Sequence, residues 1–327
     1  MLNALKLQYT VKKETLDSLR DYWGRNEYPL QWNCLFVLPV WLKVWWHHFG
    51  HVSEPFIFSI FHEDRLIGLA PLQRQGQTVR LMGDDDVCDY LDFVVTPERA
   101  TEFYGFLLDY LKQEGITRLE LSPLRPDSSA FVNLITVARK MGYGVVYEPK
   151  DVSFELELPG SWDDYLNTLT GKERHEIRRK FRRLNEAGNV QYRRVDNIPA
   201  IDSEIDTFLT LFKSNRSDKA IFMNDPMRLF FQSLATVLIR NRIARFFFLE
   251  LDGKPVAAVM CFDYQSTRYL YNSGYDLQYR SLSVGLLSKV LSIKEGIQSR
   301  IKTYDFLKGS EIYKQRLGGK SVPLYQC

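Results

Sequence analysis

Tyrosine, glutamate and lysine side chains follow one another closely near the end of the chain, in the segment YDFLKGSEIYKQRLGGK (304–320). Its apolar start predicts a short buried strand that stops at Gly309. Residues just beyond a strand end are where open α/β sheets place their chemistry. A phenol such as Tyr313 can donate a proton and a carboxylate such as Glu311 can accept one, so the segment predicts acid–base chemistry. Asp305, inside the strand, is either a second candidate base or a buried partner for nearby basic residues.

Charged side chains are concentrated in two other segments. The segment GDDDVCDYLDF (83–93) gathers five aspartates, but three of them in a row without a regular ligand spacing are poor evidence for a metal site. The segment KERHEIRRKFRR (172–183) holds seven Lys or Arg against two Glu, a net charge of +5, whereas the whole chain carries +3. The latter predicts a helix that buries Ile177, Phe181 and Leu184 and exposes a basic ridge of Arg174, Arg178 and Arg182.

Strand and helix patterns occur twice in the same order, which is strand, strand, strand, helix, strand. The first copy covers residues 56–124 with the turn HEDR, and the second covers 244–307 with the turn DGKP. We therefore predict a duplicated mixed α/β unit, against the alternative that two unrelated α/β domains share this order. The predicted elements are a meander over 56–83, helices over 97–115 and 129–142, strands over 117–124, 152–159 and 189–195, helices within 199–216 and 226–242, a helix over 284–300 and a strand over 304–307.

Composition and cysteine spacing narrow the class of protein. With 327 residues, of which 45% are hydrophobic, we predict two domains, 1–159 and 160–327. The four cysteines have no CxxC spacing, so neither a zinc site nor a disulfide framework is indicated, and a reducing cytoplasm is the expected location. The segment LFVLPVWLKVWWHHFG (35–50) is too short and too interrupted to span a membrane, although peripheral contact with a membrane stays open.

The loop YDLQYRSLSVGLL (275–287) lies between the third strand and the helix of the second copy. A helix N-terminus offers unpaired N–H groups and a positive dipole end, which together can hold a pyrophosphate. Motifs for dinucleotides, ATP, zinc proteases and serine hydrolases do not occur in a convincing context.

These features resemble the GNAT acyltransferases. Arg280, Ser283 and Gly285 fall at the first, fourth and sixth positions of the loop that the family writes Q/R-x-x-G-x-G/A, with serine in place of the first glycine. The segment YKQRLG (313–318) is similar to the Tyr-x-x-x-Gly-Phe that follows the family's fifth strand. The chain resembles the tandem GNAT group that contains the CelD-like acetyltransferases, which is related to the Fem-type peptidyltransferases. The resemblance implies an α/β fold of two tandem GNAT-like domains, each a mixed twisted sheet flanked by helices, the first of them degenerate.

The same resemblance implies an N-acyltransferase that moves an acyl group, with acetyl expected, from acyl-CoA to an amine acceptor such as an amino sugar or a cell-envelope polysaccharide precursor. Tyr313 would protonate the departing thiolate, with Glu311 or Asp305 as the base and no metal. The acyl-CoA would be held by Arg280, Ser281, Leu282, Ser283, Val284, Gly285 and Leu286. The acceptor would be bound by Asp86, Asp89, Tyr90, Asp92, Arg174, Arg178, Tyr275 and Lys314.

Two other functions stay open at this point. One is a Fem-type peptidyltransferase that uses aminoacyl-tRNA, and the other is a GNAT-derived binding protein without catalysis, for which Ser283 is the best support. The basic segment is correspondingly a solvated helix face, a surface for an anionic acceptor such as a nucleotide-sugar, or a surface for a tRNA acceptor stem. A net charge of −2 outside that segment argues against nucleic acid as a general partner.

Overall fold

The computed structural model describes residues 9–25, 27–195, 201–215 and 221–327. The chain divides into a first unit, Met1–Asp151 with Pro323–Cys327, and a second unit, Val152–Val322. The predicted boundary after residue 159 lies a few residues beyond this division, past a strand that pairs within the second sheet.

The described strands form two sheets. In chain order they are β1 Tyr9–Lys13, β2 Glu54–His62, β3 Arg65–Gln75, β4 Thr78–Leu81, β5 Val94–Val95, β6 Arg118–Glu120, β7 Glu148–Glu157, β8 Val190–Arg194, β9 Ala244–Leu251, β10 Lys254–Tyr264, β11 Thr267–Tyr275, β12 Thr303–Lys308 and β13 Lys320–Gln326. The first sheet has the order β1-β2-β3-β4-β6, with β5 beside β3, and the second has the order β13-β7-β12-β11-β10-β9-β8.

The helices connect and cover these strands. The described α-helices are α1 Leu19–Tyr22, α2 Pro39–Phe49, α3 Ala100–Gln113, α4 Ile135–Lys140, α5 Trp162–Thr168, α6 Gly171–Ala187, α7 Ile201–Asn215, α8 Asp225–Arg240, α9 Val284–Gln298 and α10 Ile312–Arg316. The helix predicted over 129–142 is a π-helical turn, Ala130–Leu134, that continues into α4. The ends of the helix predicted within 199–216 lie outside the described residues.

Both sheets repeat one pairing pattern. In the first, β2, β3 and β4 form an antiparallel meander and β6 joins β4 in parallel after α3. In the second, β9, β10 and β11 form the meander and β12 joins β11 in parallel after α9. A parallel neighbour requires a crossover connection, which the helix supplies in both cases. The duplicated order predicted from the sequence is therefore present as two mixed sheets with helices.

Two-residue turns join the first two strands of each meander. Glu63 and Asp64 lie between β2 and β3, while Asp252 and Gly253 lie between β9 and β10. Both Asp252 and Gly253 have positive φ, 51° and 77°, which is the backbone of the tight hairpin turn that an Asp-Gly pair favours. The sequence positions of both turns are confirmed.

The core of the second unit packs α6 and α9 against the sheet. Its buried residues include Phe247, Val259, Ile293 and Phe306, and α6 contributes Ile177. Leu184 of α6 is also buried and Phe181 is partly buried, as the helical periodicity predicted. The apolar stripe thus fixes α6 beside α9, with its charged residues along the remaining faces.

Candidate active site

The turn Asp276–Ser283, in which Leu277–Leu282 form a 3₁₀ helix, leads from β11 into the N-terminus of α9. Asp276 begins this turn by accepting the N–H of Gln278 at 3.0 Å and Lys254 Nζ at 3.2 Å. Ser283, directly before α9, has φ +57°, which lies in the left-handed region that favours glycine. This conformation explains why the resembling motif has glycine at this position, and it shows that serine adopts the same backbone here.

The first turn of α9 presents backbone N–H groups. Leu286 and Leu287 both donate their N–H to the Ser283 carbonyl at 3.0 Å, which leaves the N–H groups of Val284 and Gly285 without an intrahelical acceptor. No acidic residue occurs in this turn. Arg280 and Ser281 are exposed and Leu282 is partly buried. The turn can therefore hold an anion on N–H groups and the positive helix end.

Gly285 allows a close approach between α9 and β11. A Cβ atom at this position would lie 2.5 Å from Cδ1 of Tyr275, so any side chain would displace the ring. Tyr275 is partly buried and packs against the core beside α9. Its aromatic ring thus supports the turn, a role that differs from the acceptor contact predicted for Tyr275.

A lysine from α6 reaches the same turn. Lys180 Nζ donates to Ser283 Oγ at 3.1 Å and lies 3.7 Å from Glu176 Oε2. Arg179 also pairs with Glu176, at 2.9 Å, and draws the pKa of that glutamate down. An ammonium group therefore stands beside the N-terminus of α9.

Lys289 joins this turn to Tyr313. Its side chain is buried, and its Nζ donates to the Gly285 carbonyl at 2.7 Å. The same Nζ lies 5.0 Å from the centroid of the Tyr313 ring, within reach of a cation–π attraction. The ammonium of Lys289 therefore contacts both the first turn of α9 and the ring of Tyr313.

The ring of Tyr313 packs against the core of the second unit, and its hydroxyl can donate a hydrogen bond to a ligand. The ring is partly buried and meets Phe306 edge-on, with 6.3 Å between centroids. Across the described ranges, no hydrogen-bond partner of the Tyr313 hydroxyl is found. Burial, and then the negative charge of Glu311, raise the pKa of Tyr313 above its usual value. The phenol is therefore protonated at neutral pH and can donate a hydrogen bond.

Asp305 stabilises an irregularity in β12. The pairing of β12 with β7 shifts register between Asp305 and Leu307, and Leu307 has φ +60°. Asp305 is 1% exposed, and its Oδ1 accepts the Leu307 N–H at 2.7 Å. This contact supports the strand end, which is the alternative to a catalytic base that the sequence left open for Asp305.

Lys314 closes the turn that follows β12. Its side chain is 2% exposed, and its ammonium donates to the carbonyls of Leu307, Lys308 and Gly309 at 2.7–3.0 Å. These carbonyls and Glu311, at 3.0 Å, surround the ammonium, so Lys314 stabilises the turn, and the acceptor contact predicted for it stays a prediction. Glu311 itself is half exposed, so of the two candidate bases it is the one open to solvent.

The basic ridge of α6 is only partly engaged by other side chains. Arg174 donates to Asn167 Oδ1 at 3.2 Å, and Arg182 lies 3.8 Å from Glu186. Arg178 is exposed. The surface of this helix thus retains positive charge that an anion can meet.

The residues of the acidic segment 83–93 that are predicted to bind the acceptor differ in their contacts and burial. Asp92 accepts the N–H groups of Phe93, Ser129 and Ala130 at 2.7–3.0 Å, and burial raises its pKa to about 7. It therefore caps the start of the helical segment at Ala130, whereas its predicted acceptor contact stays a prediction.

The other predicted acceptor residues of this segment separate by burial. Tyr90 is 4% exposed, and its ring packs against Phe36 and under Arg125. It is a core residue of the first unit. Asp86 is exposed and Asp89 is partly exposed, so these two aspartates are more accessible to solvent than Tyr90.

A cavity of about 930 Å³ lies within the first unit. Asp84 and Asp85, which precede the predicted acceptor residues, are in its wall together with Trp45 and Lys150. Asp84 accepts the Trp45 Nε1–H at 2.6 Å, and Asp85 forms an ion pair with Lys150. The carboxylates at this cavity are thus internally paired.

Lys180 and Lys289 were missed by sequence reasoning, although both carried a signal. Lys180 lies three residues after Ile177 and four before Leu184, on the stripe where an apolar residue is expected. Lys289 lies four residues after Gly285 and therefore on the same helix face as the loop motif. A lysine in either place is a candidate for a ligand contact.

Within residues 9–25, 27–195, 201–215 and 221–327, no group of three His, Cys, Asp or Glu is arranged to hold a metal ion. None of the helices described here is long and apolar enough to cross a membrane.

Comparison with known proteins agrees with this geometry. Residues 171–315, which include α6, the turn before α9 and Tyr313, match the protein-family model described as an acetyltransferase (GNAT) domain. No curated protein sequence matches the chain.

Solved structures extend the similarity to the whole chain. A crystal structure of FemX is similar over 97% of this chain and 96% of that chain, with 12% identity and a TM-score of 0.66. L-PGS from Bacillus licheniformis covers 87% of this chain and 89% of its own at 11% identity and a TM-score of 0.55. A putative lysylphosphatidylglycerol synthetase domain from Agrobacterium fabrum covers 80% of both chains at 12% identity and a TM-score of 0.52. Residues 171–315 of the second unit are thus similar to a GNAT acetyltransferase domain, and the fold is the predicted two-unit α/β arrangement.

Proposed function

We propose that the chain is an N-acyltransferase that moves an acyl group from an acyl-CoA thioester to the amine of a small-molecule or glycan-precursor acceptor. The proposal rests on the contacts of Lys289. Its ammonium donates to the Gly285 carbonyl in the first turn of α9 and lies over the ring of Tyr313, and all three residues are within the region that matches a GNAT acetyltransferase domain. The donor has phosphates at one end and a thioester at the other. The first turn of α9 would bind the phosphates, and the protonated phenol of Tyr313 would reach the thioester.

The turn before α9 fits the phosphates of such a donor. Ser283 has the backbone that an N–H cradle requires, and Gly285 leaves room that a Cβ would fill. Arg280 is exposed three residues before Ser283 and adds positive charge. The N–H groups of the first turn of α9 would bind phosphate oxygens.

In the reaction the acceptor nitrogen attacks the thioester carbonyl carbon, the new C–N bond forms and the C–S bond breaks. The nitrogen loses a proton, and the departing thiolate accepts a hydrogen bond and then takes a proton from water. Thiols have a pKa of about 8.5, below the raised pKa of Tyr313, so complete proton transfer from the phenol is uphill. Tyr313 therefore stabilises the departing sulfur mainly as a hydrogen-bond donor.

Glu311 is the proposed acceptor of the amine proton. Its carboxylate is half exposed and is held by Lys314 at 3.0 Å. The ion pair orients the carboxylate, while its exposure permits proton exchange with water. A direct contact or one bridging water would connect it to the amine.

A second candidate function is aminoacyl transfer of the Fem type, with aminoacyl-tRNA as the donor. It is favoured by the fold shared with FemX over 97% of the chain and by the exposed positive charge of α6. An ester replaces the thioester in this reaction, and the same phenol would then assist an alkoxide leaving group.

Parallel assays separate these functions. The purified chain is incubated with acetyl-CoA and a panel of amino sugars, nucleotide-linked amino sugars and simple amines, and free thiol and acetylated product are measured. Aminoacyl-tRNA with the same acceptors is the second arm. Acceptor-dependent thiol release supports the acyl-CoA proposal. Transfer from tRNA alone overturns it, and binding of acetyl-CoA without any transfer assigns a non-catalytic role.

A further inference from the structure

Lys180 occupies an electrostatically unfavourable position. Its ammonium lies 3.1 Å from the hydroxyl of Ser283, the residue at the N-terminal end of α9. Helix N-termini carry a partial positive charge and normally attract acidic side chains. The first turn of α9 has none, so a cation faces the positive end of the helix.

Nearby acidic charge offsets this repulsion only in part. Glu176 lies 3.7 Å from Lys180, but it makes its shorter ion pair, at 2.9 Å, with Arg179. The three side chains together carry one net positive charge. The Lys180 side chain is 23% exposed, so its ammonium is neither deeply buried nor freely solvated. An anion bound at the start of α9 would neutralise both the ammonium and the helix end.

We propose that Lys180 is a phosphate-binding residue of the donor site, and that it contacts the pyrophosphate group of the donor at the start of α9. This inference rests on the proposed function, because it assigns a residue to the same donor site. Ser283 then has two tasks, since its backbone adopts the left-handed conformation and its hydroxyl holds Lys180 beside the phosphates.

The pairing of Lys180 with Ser283 also gives a reason for the serine. Glycine at this position would adopt the backbone without strain but would provide no acceptor for the ammonium. The departure from the glycine of the motif is thus matched by a cation from a neighbouring helix, and the site retains its capacity for phosphate.

Calorimetric titrations with acetyl-CoA test the assignment on three variants of the full chain. Lys180→Met removes the ammonium and keeps an unbranched apolar stem. Ser283→Ala removes the hydroxyl and leaves the lysine, and Arg182→Met is the matched control, because it removes a charge from the same helix where the partner is Glu186. Thermal unfolding of each variant confirms that it folds.

Lys180→Met is expected to weaken acetyl-CoA binding by roughly ten-fold or more, the size of a charge-assisted hydrogen bond to phosphate, and to make binding less sensitive to salt. Arg182→Met should bind like the unmodified chain, and Ser283→Ala should weaken binding by less than Lys180→Met, because the ammonium remains and loses only the hydroxyl that positions it. Unchanged affinity of Lys180→Met overturns the inference. Equal losses in Lys180→Met and Arg182→Met also overturn it, because the effect would then come from the overall charge of α6 and not from a contact of Lys180 with phosphate.

Inorganic pyrophosphate is the second probe, and it separates the inference from the proposed function. If the chain does not bind acetyl-CoA but binds pyrophosphate in a manner that Lys180→Met abolishes, the acyl-CoA function fails and the phosphate assignment stands. If the chain binds neither compound, both fail.

Discussion

The two units share one strand order and differ in the connection that follows the meander. In the second unit a single turn, Asp276–Ser283, enters α9 directly, and no acidic residue occurs in the first turn of the helix. In the first unit the chain after β4 runs through the acidic segment and β5 before α3 begins, and Glu102 lies in the first turn of that helix.

This difference shows that topology alone does not create an anion site. Glu102 pairs with Arg99 and accepts the Tyr9 hydroxyl at 2.6 Å, so the start of α3 already has acidic charge and internal partners. The start of α9 has free N–H groups and a neighbouring ammonium from Lys180. A donor site is therefore expected in the second unit, although both units contain the same meander, helix and parallel strand.

The largest expected effect is at Tyr313. Tyr313→Phe keeps the ring beside Phe306 and removes only the hydroxyl, so folding and acetyl-CoA affinity should persist while kcat falls by roughly 10²–10³-fold, the cost of removing one hydrogen-bond donor to developing charge. The matched control is Tyr110→Phe in the first unit, where the ring packs against Phe58. Steady-state kinetics on a verified acceptor measure both. Full turnover by Tyr313→Phe, with chemistry shown to limit the rate, would reduce Tyr313 to a packing residue.

Replacing a glycine by alanine in α9 and in α3 has the next largest expected effect and tests the difference between these two helices. Gly285→Ala forces a Cβ to within 2.5 Å of the Tyr275 ring and should lower the free energy of unfolding by about 1–3 kcal/mol. Gly105→Ala in α3 meets nothing within 4 Å and should raise it by about 0.5–1 kcal/mol. Denaturant titration of both variants measures these changes. A stable Gly285→Ala variant that binds donor normally would show that the close approach is unnecessary.

The basic ridge of α6 is expected to act on the acceptor rather than on folding. Replacing Arg174 and Arg178 by Gln should leave the unfolding midpoint nearly unchanged, because exposed charges contribute little to stability. Acceptor affinity should fall, and the loss should be greatest at low salt. Binding titrations at two ionic strengths measure this. A parallel loss of stability and binding would instead assign the ridge to the fold.

The smallest effect concerns pH and Asp92. Burial raises the pKa of Asp92 from 3.8 to about 7, so between these values the folded state keeps a proton that the unfolded state releases. The contribution of this group to stability is therefore full below pH 3.8 and is lost as pH rises through about 7. Asp92→Asn should remove this pH-dependent slope, whereas Asp86→Asn, at an exposed position, should retain it. Unfolding curves at several pH values would contradict the account if the two variants behaved alike.

The fold was largely readable from the sequence because local signals agreed with one another. The Asp-Gly turn at residues 252–253 and the apolar runs around it define a hairpin without reference to the rest of the chain. The spacing of Ile177 and Leu184 likewise predicted α6 from local sequence alone. The division after Asp151 could not be predicted from local patterns, because it depends on the pairing of β7 with β12, which is distant in sequence.

The candidate site was readable only in part, because side-chain roles depend on contacts distant in sequence. The motif located the turn before α9 but could not show that Lys180, 103 residues earlier, meets Ser283. The spacing after β12 marked Glu311, Tyr313 and Lys314 alike. Only the fold shows that Lys314 is enclosed by carbonyls while the Tyr313 hydroxyl is available.

Calorimetric titration of the full chain with acetyl-CoA tests the central claim most directly, since the claim is that one unit of the two binds the acyl donor. The account predicts one binding site per chain, with affinity greatly weakened by Gly285→Val and unaffected by Gly105→Ala. Two sites per chain, no binding, or binding that survives Gly285→Val would contradict it.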